Sequence, residues 1–96
     1  MKIDILDEAE EDLIKGFQFY ERQSAGLGRY FLDSIFSDIE SLKSYAGIHP
    51  LHFGYHRFLA KHFPFAVYYR VVASNVHIYA VLDCRRNPAW IRNRLS

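Results

Sequence analysis

Residues 65–84 read FAVYYRVVASNVHIYAVLDC, two apolar runs on either side of Ser74-Asn75, and the fold turns on how those runs pair. Their Val, Ile, Tyr and Phe content predicts strands over 65–73 and 76–84. Ser74-Asn75 has the length of a two-residue hairpin turn, and Asn tolerates the positive φ such turns need. A hairpin closed there pairs Ala73 with Val76, Val71 with Ile78, Tyr69 with Ala80 and Val67 with Leu82. Those residues share one apolar face suited to burial under helices. The opposite face carries Ala66, Tyr68, Arg70 and Val72 against His77, Tyr79, Val81 and Asp83, a mixed set expected to be exposed. A one-residue slip would scramble the two sets.

Upstream, Tyr55–Leu59 reads as a third strand, Ala60–Pro64 as a turn, and residues 47–54 as a loop carrying Gly47, Pro50 and Gly54. Leu27, Phe31, Ile35, Ile39 and Leu42 recur at helical spacing, which predicts a helix over 27–45. Asp33, Asp38 and Glu40 fall off that stripe and are expected to be solvated. Ala9, Leu13, Phe17 and Tyr20 predict a helix over 8–23, with Asp7 as N-cap and Glu10 closing a capping box. Ser24-Ala25-Gly26 is short enough to fold the two helices into an antiparallel hairpin. Residues 2–6 form a short strand, and 88–95, opened by Pro88, add one or two helical turns. The order is β-α-α-β-β-β, an α+β fold with a helical hairpin on one face of a small, mainly antiparallel sheet. The 96 residues make one domain.

Half of the residues are hydrophobic and 17% aromatic, which excludes a disordered chain. A single cysteine, Cys84, excludes an internal disulfide. With an acidic start and no membrane-length apolar run, this predicts a cytoplasmic protein away from membranes. The net charge of +1 conceals a division. Residues 1–48 hold 5 Lys/Arg and 10 Asp/Glu, whereas residues 49–96 hold 7 and 1. One acidic and one basic surface follow, the basic one fit for an anionic partner.

Few constellations carry chemistry. The five histidines, His49, His52, His56, His62 and His77, have no ligand spacing, so neither metal nor cofactor is expected. Cys84 ends a strand on the apolar face and reads as a packed hydrophobe. No nucleophile elbow, phosphate loop or dinucleotide fingerprint occurs. The basic half offers Arg57, Lys61, Arg85 and Arg86 for metal-free phosphoryl chemistry, or equally for recognition of an anion. In the aromatic stretch Phe63–Arg70, Phe65 and Tyr69 belong to the core, while Tyr68 is expected outside with Tyr79 and His77.

HFPFAVYYRV at 62–71 and VHIYAVLDCRRNPAW at 76–90, set behind a strand and a helical hairpin, resemble the RelE/ParE superfamily of type II toxin–antitoxin toxins, most closely its ParE-like, plasmid stabilisation branch. The resemblance spans essentially the whole chain. It implies a small toxin neutralised by a cognate antitoxin, with operator DNA contacted only through that antitoxin. Two activities come with it: inhibition of DNA gyrase, as in ParE-like members, or metal-independent mRNA cleavage on the ribosome, as in RelE-like members. A relative that binds an antitoxin and poisons nothing is a further alternative. RelE-like nucleases carry an arginine early in the strand matching Phe65–Val71. Ala66 stands there, which leaves Arg57, Lys61, Arg85 and Arg86 as nuclease candidates and favours the gyrase-binding branch. Contacts to target or antitoxin are expected from Arg70, Tyr68, Tyr79, Arg85, Arg86 and Trp90, and from Phe19, Phe36 and Tyr45 off the helical stripes.

Overall fold

The computed structural model describes residues 1–96. The elements are β1 (Ile3–Ile5), α1 (Asp7–Gln23), α2 (Leu27–Glu40), α3 (Leu42–Tyr45), β2 (Leu51–His52), β3 (Tyr55–Leu59), β4 (Phe65–Val72), β5 (Asn75–Asp83) and α4 (Pro88–Leu95). The strands form one sheet in the order β1-β5-β4-β3-β2, antiparallel except for β1 beside β5. The expected α+β layout is present, with α1 and α2 on one face. It has two additions: the loop over 47–54 contains β2, and the tail helix α4 covers the other face.

The β4–β5 hairpin departs from its expected register. Its turn is Ala73-Ser74, with φ of 49° and 68°, and Val72 pairs with Asn75. Farther in, Tyr69 pairs with Ile78 but Tyr68 with Ala80, so Tyr79 is an extra residue in a bulge. The bulge inverts the alternation of β5. Val76 and Ile78 face the helices, and so does Val81, while Ala80 and Leu82 turn to the opposite face. The hairpin pairs proposed from sequence are therefore replaced, and Ala80, Leu82 and Cys84 leave the helical side. Ala66, Tyr68, Ala80 and Leu82 instead form a second core closed by Ile91 and Leu95 of α4. Burying two such aliphatic side chains contributes about 1.5–3 kcal/mol each. The part of this second face beneath α4 is thus covered rather than exposed, and Tyr68 is only 2% accessible.

The helices are placed by backbone chemistry as much as by pattern. Leu6 extends the strand by donating its N–H to Ile78 O at 3.0 Å, so α1 starts at Asp7 with Leu6 as an uncapped N-cap. Asp7 lies inside the first turn, where its charge favours the macrodipole, and the expected capping box is absent. The buried stripe of α1 is Ala9, Leu13, Gly16 and Tyr20, with Phe17 displaced to its edge. Glu21 replaces a cap for α2, its carboxylate accepting the N–H groups of Gly26 and Gly28, each at 3.0 Å. The stripe Phe31, Ile35, Ile39 and Leu42 is buried as expected, but the helix breaks at Ser41, whose hydroxyl donates to Asp38 O at 2.6 Å. Asp38 is not solvated. It is buried, and its carboxylate accepts the Lys61 N–H at 3.1 Å, tying α2 to the β3–β4 turn.

A histidine clasp holds the segment between α3 and β3. The Tyr69 hydroxyl accepts the Gly47 N–H at 2.9 Å and shares a hydrogen bond with His49 Nδ1. His56 Nδ1 donates to His49 O at 2.7 Å, and the His56 ring stacks on Tyr69. Burial, aided by the nearby His56, pushes the His49 pKa down, so the fold favours the neutral ring. The clasp is at full strength above the unfolded histidine value of about 6.5 and weakens as pH falls through it toward the lower folded value. Denaturant midpoints are expected to fall from neutral to mildly acidic buffer in the parent chain and to change less in His49→Asn. An equal pH slope in the two proteins would count against the clasp.

Candidate functional site

Three exposed surfaces gather the residue types that could engage a partner. The first is a cleft between α1 and α4 at the Asp83 end of the sheet, with a volume of about 350 Å³. Its floor is Phe65, Val81 and Leu82. Phe19 and Trp90 flank it, 45% and 37% exposed, and the Arg86 guanidinium lies over the Trp90 ring at 3.8 Å. Two carboxylates at its rim are already matched. Asp12 accepts the Val81 N–H at 3.0 Å and pairs with Arg94, which also holds Glu8 at 3.0 Å. Asp83 takes Arg85 through Nε and Nη2, at 3.0 and 2.7 Å. That pairing holds the Asp83 carboxyl below its ordinary value and the Arg85 guanidinium above its own. Lys15 and Arg86, by contrast, have no carboxylate partner within 4.0 Å.

The second surface is an apolar groove of about 410 Å³ on the outer side of the helical hairpin, with Ile14, Phe17, Leu32 and Phe36 along it. Phe36 is 44% exposed there, as its position off the α2 stripe predicts. Tyr45 also lies outside the core. The third surface is the end of the second sheet face that α4 leaves open. Arg70 spans it, 4.0 Å above the Tyr55 ring and 5.4 Å from Tyr79, with Nε donating to Gly54 O at 3.1 Å. His77 stands beside Tyr79 and 3.5 Å from Asp4.

The contact residues expected from sequence are thus divided. Phe19, Arg86 and Trp90 meet in the cleft, Phe36 lies in the groove, and Arg70 and Tyr79 share the sheet patch. Tyr68 is buried, with its hydroxyl accepting from Arg57 Nε at 3.3 Å. Arg85 folds back onto Asp83 near the Tyr20 hydroxyl. The four nuclease candidates have separate surroundings. Arg57 is held by Tyr68 and by Cys84 Sγ at 3.6 Å, Lys61 is exposed after β3, Arg85 is paired, and Arg86 stacks on Trp90. Ala66, the position of the absent arginine, is completely buried beneath α4. Lys15, Asp12, Arg94 and Tyr55 belong to these surfaces and were not singled out from sequence. Asp12 and Arg94 are 82 positions apart, and only the docking of α4 brings them together.

A helical hairpin on one sheet face, a tail helix on the other and clefts at their edges define an α+β architecture. The chain is similar to one from a structure described as "Chromosomal ParDE TA system from P. aeruginosa", with a TM-score of 0.70 and 18% identity over 84% of this chain and 92% of that one. No family model matches the sequence. No curated protein matches it either. No helix is long and apolar enough to cross a membrane.

Proposed function

We propose that this chain is the toxin of a type II toxin–antitoxin module, neutralised in the cytoplasm by a cognate antitoxin, and that it acts by binding DNA gyrase rather than by cutting RNA. The observation that carries this reading is the burial of Ala66 within a ParE-like fold. An arginine there would have to displace Ile91 and Leu95, and a phosphate-stabilising charge in such a site is worth a few kcal/mol. The groove beside Phe36 fits the apolar face of an antitoxin helix, read as anchors at helical spacing. Operator DNA is reached through the antitoxin alone.

Induced expression in bacteria tests the reading. Gyrase poisoning predicts loss of negative supercoiling and an SOS response while translation continues. Early mRNA cleavage with translational arrest would replace it by the ribosome-dependent nuclease. Normal growth under strong expression would leave only an antitoxin-binding relative.

A further inference from the structure

We propose that the cleft between α1 and α4 is a docking site for an acidic protein segment carrying one bulky apolar anchor. The anchor seats on Phe65, Val81 and Leu82 between Phe19 and Trp90, and flanking carboxylates meet Lys15 and Arg86. Charge selects this occupant. Asp12 and Asp83 line the cleft but are each ion-paired, Asp12 with Arg94 (shared with Glu8) and Asp83 with Arg85, so the rim charges with no partner within 4.0 Å are both positive. Stacking on Trp90 leaves the in-plane N–H groups of Arg86 free to grip a carboxylate. The floor is apolar and offers no side-chain donors or acceptors to the edges of a nucleobase. A volume of about 350 Å³ suits one large side chain, and two free cations are too few for a tract of phosphates. The site is separate from the apolar groove beside Phe36, which presents no cation. The inference takes from the proposed function only that the partner is a protein.

Trp90 is the sole tryptophan, so its fluorescence and its indole N–H resonance report on this cleft directly. The test is a phage-displayed random peptide library selected on the full chain, followed by titration of the synthetic winners. Peptides with a bulky apolar residue among Asp and Glu are expected, and they should shift the Trp90 signals. Charge reversal in a folded Lys15→Glu/Arg86→Glu variant should weaken them by about tenfold or more, whereas Phe36→Asp should leave them unchanged. No enrichment, enrichment that leaves Trp90 unmoved, or equal affinity for the charge-reversed variant would each overturn the proposal. So would an oligo-dT strand that displaces the peptides from Trp90, since that would make the cleft a nucleic-acid site. Should the charge-reversed chain misfold, the milder Lys15→Gln/Arg86→Gln variant carries the same comparison. Peptide capture by a chain that proves harmless in cells would refute toxicity and keep this site, and toxicity without cleft binding would do the reverse.

Discussion

Phe31→Ala is expected to lower the unfolding free energy by about 3–5 kcal/mol, a large part of the roughly 5–15 kcal/mol that holds a domain of this kind together. The Phe31 ring is completely buried where the helical hairpin meets the sheet. Its centroid lies 4.9 Å from Phe65, 5.1 Å from Phe63 and 5.2 Å from Tyr20. Its fourth side is closed by α1, where a Cβ on Gly16 would stand 2.5 Å from the ring edge. The ring cannot retreat from an added methyl group, because aromatic neighbours occupy the space behind it. Gly16→Ala should therefore cost about 1–3 kcal/mol of overpacking, against the roughly 1 kcal/mol that Ala gains over Gly as a helix former. Phe31→Leu opens space on the Gly16 side. The double variant Gly16→Ala/Phe31→Leu is thus expected to be more stable than the summed single effects. Chemical denaturation of the parent chain and the four variants decides it. Strict additivity, or a Phe31→Ala loss no greater than that of a surface substitution, would show that the ring is not wedged against α1.

How much of this was legible in the sequence depends on whether one element or several set the outcome. The α2 stripe through Phe31, Ile35 and Ile39 was readable because helical periodicity records which side is buried. The strand assignments of β4 and β5 were readable for a similar reason. Their register was not. Alternation from Ala73 onward assigns Ala80 and Leu82 to the helices, and nothing local marks Tyr79 as the residue that breaks the alternation. The bulge is favoured by what lies on either side of the sheet: Val81 fills the helical core, and small Ala80 lies beneath α4. Asp38 misled for the same reason. Off the apolar stripe it reads as solvated, and only the approach of the Lys61 amide makes its burial tolerable. Of the cleft, sequence supplied Phe19, Arg86 and Trp90 as isolated candidates. Lys15 looks like an ordinary helix-surface charge until α4 is in place beside it.

The docking of α4 leads to the second large effect. Arg94→Ala is expected to destabilise the chain by about 2–4 kcal/mol, somewhat less than the loss of one partner from a fully buried ion pair. The Asp12 side chain is only 10% exposed and Arg94 20%, so removing the guanidinium leaves a largely desolvated carboxylate with the Val81 N–H as its remaining partner. Burial already raises the Asp12 pKa, and Arg94 is the chief influence that lowers it again. A raised carboxyl pKa means that the folded state holds the proton more tightly than the unfolded chain. Its stabilising effect is therefore present at low pH and is lost as pH rises from the unfolded value of about 3.9 through the folded one. Without Arg94 the folded pKa climbs further, so the penalty of Arg94→Ala should be largest near neutrality and shrink in acid. Asp12→Asn removes the charge, and adding Arg94→Met to it should cost less than Arg94→Met alone. Hydrogen exchange locates the effect: the Ile91–Leu95 amides should lose protection first, since Ile91 and Leu95 rely on α4 remaining docked. A pH-independent loss spread evenly over the sheet would mean that Arg94 stabilises through its aliphatic stem alone, and the Asp12–Arg94 pair would then not be what holds α4 to α1.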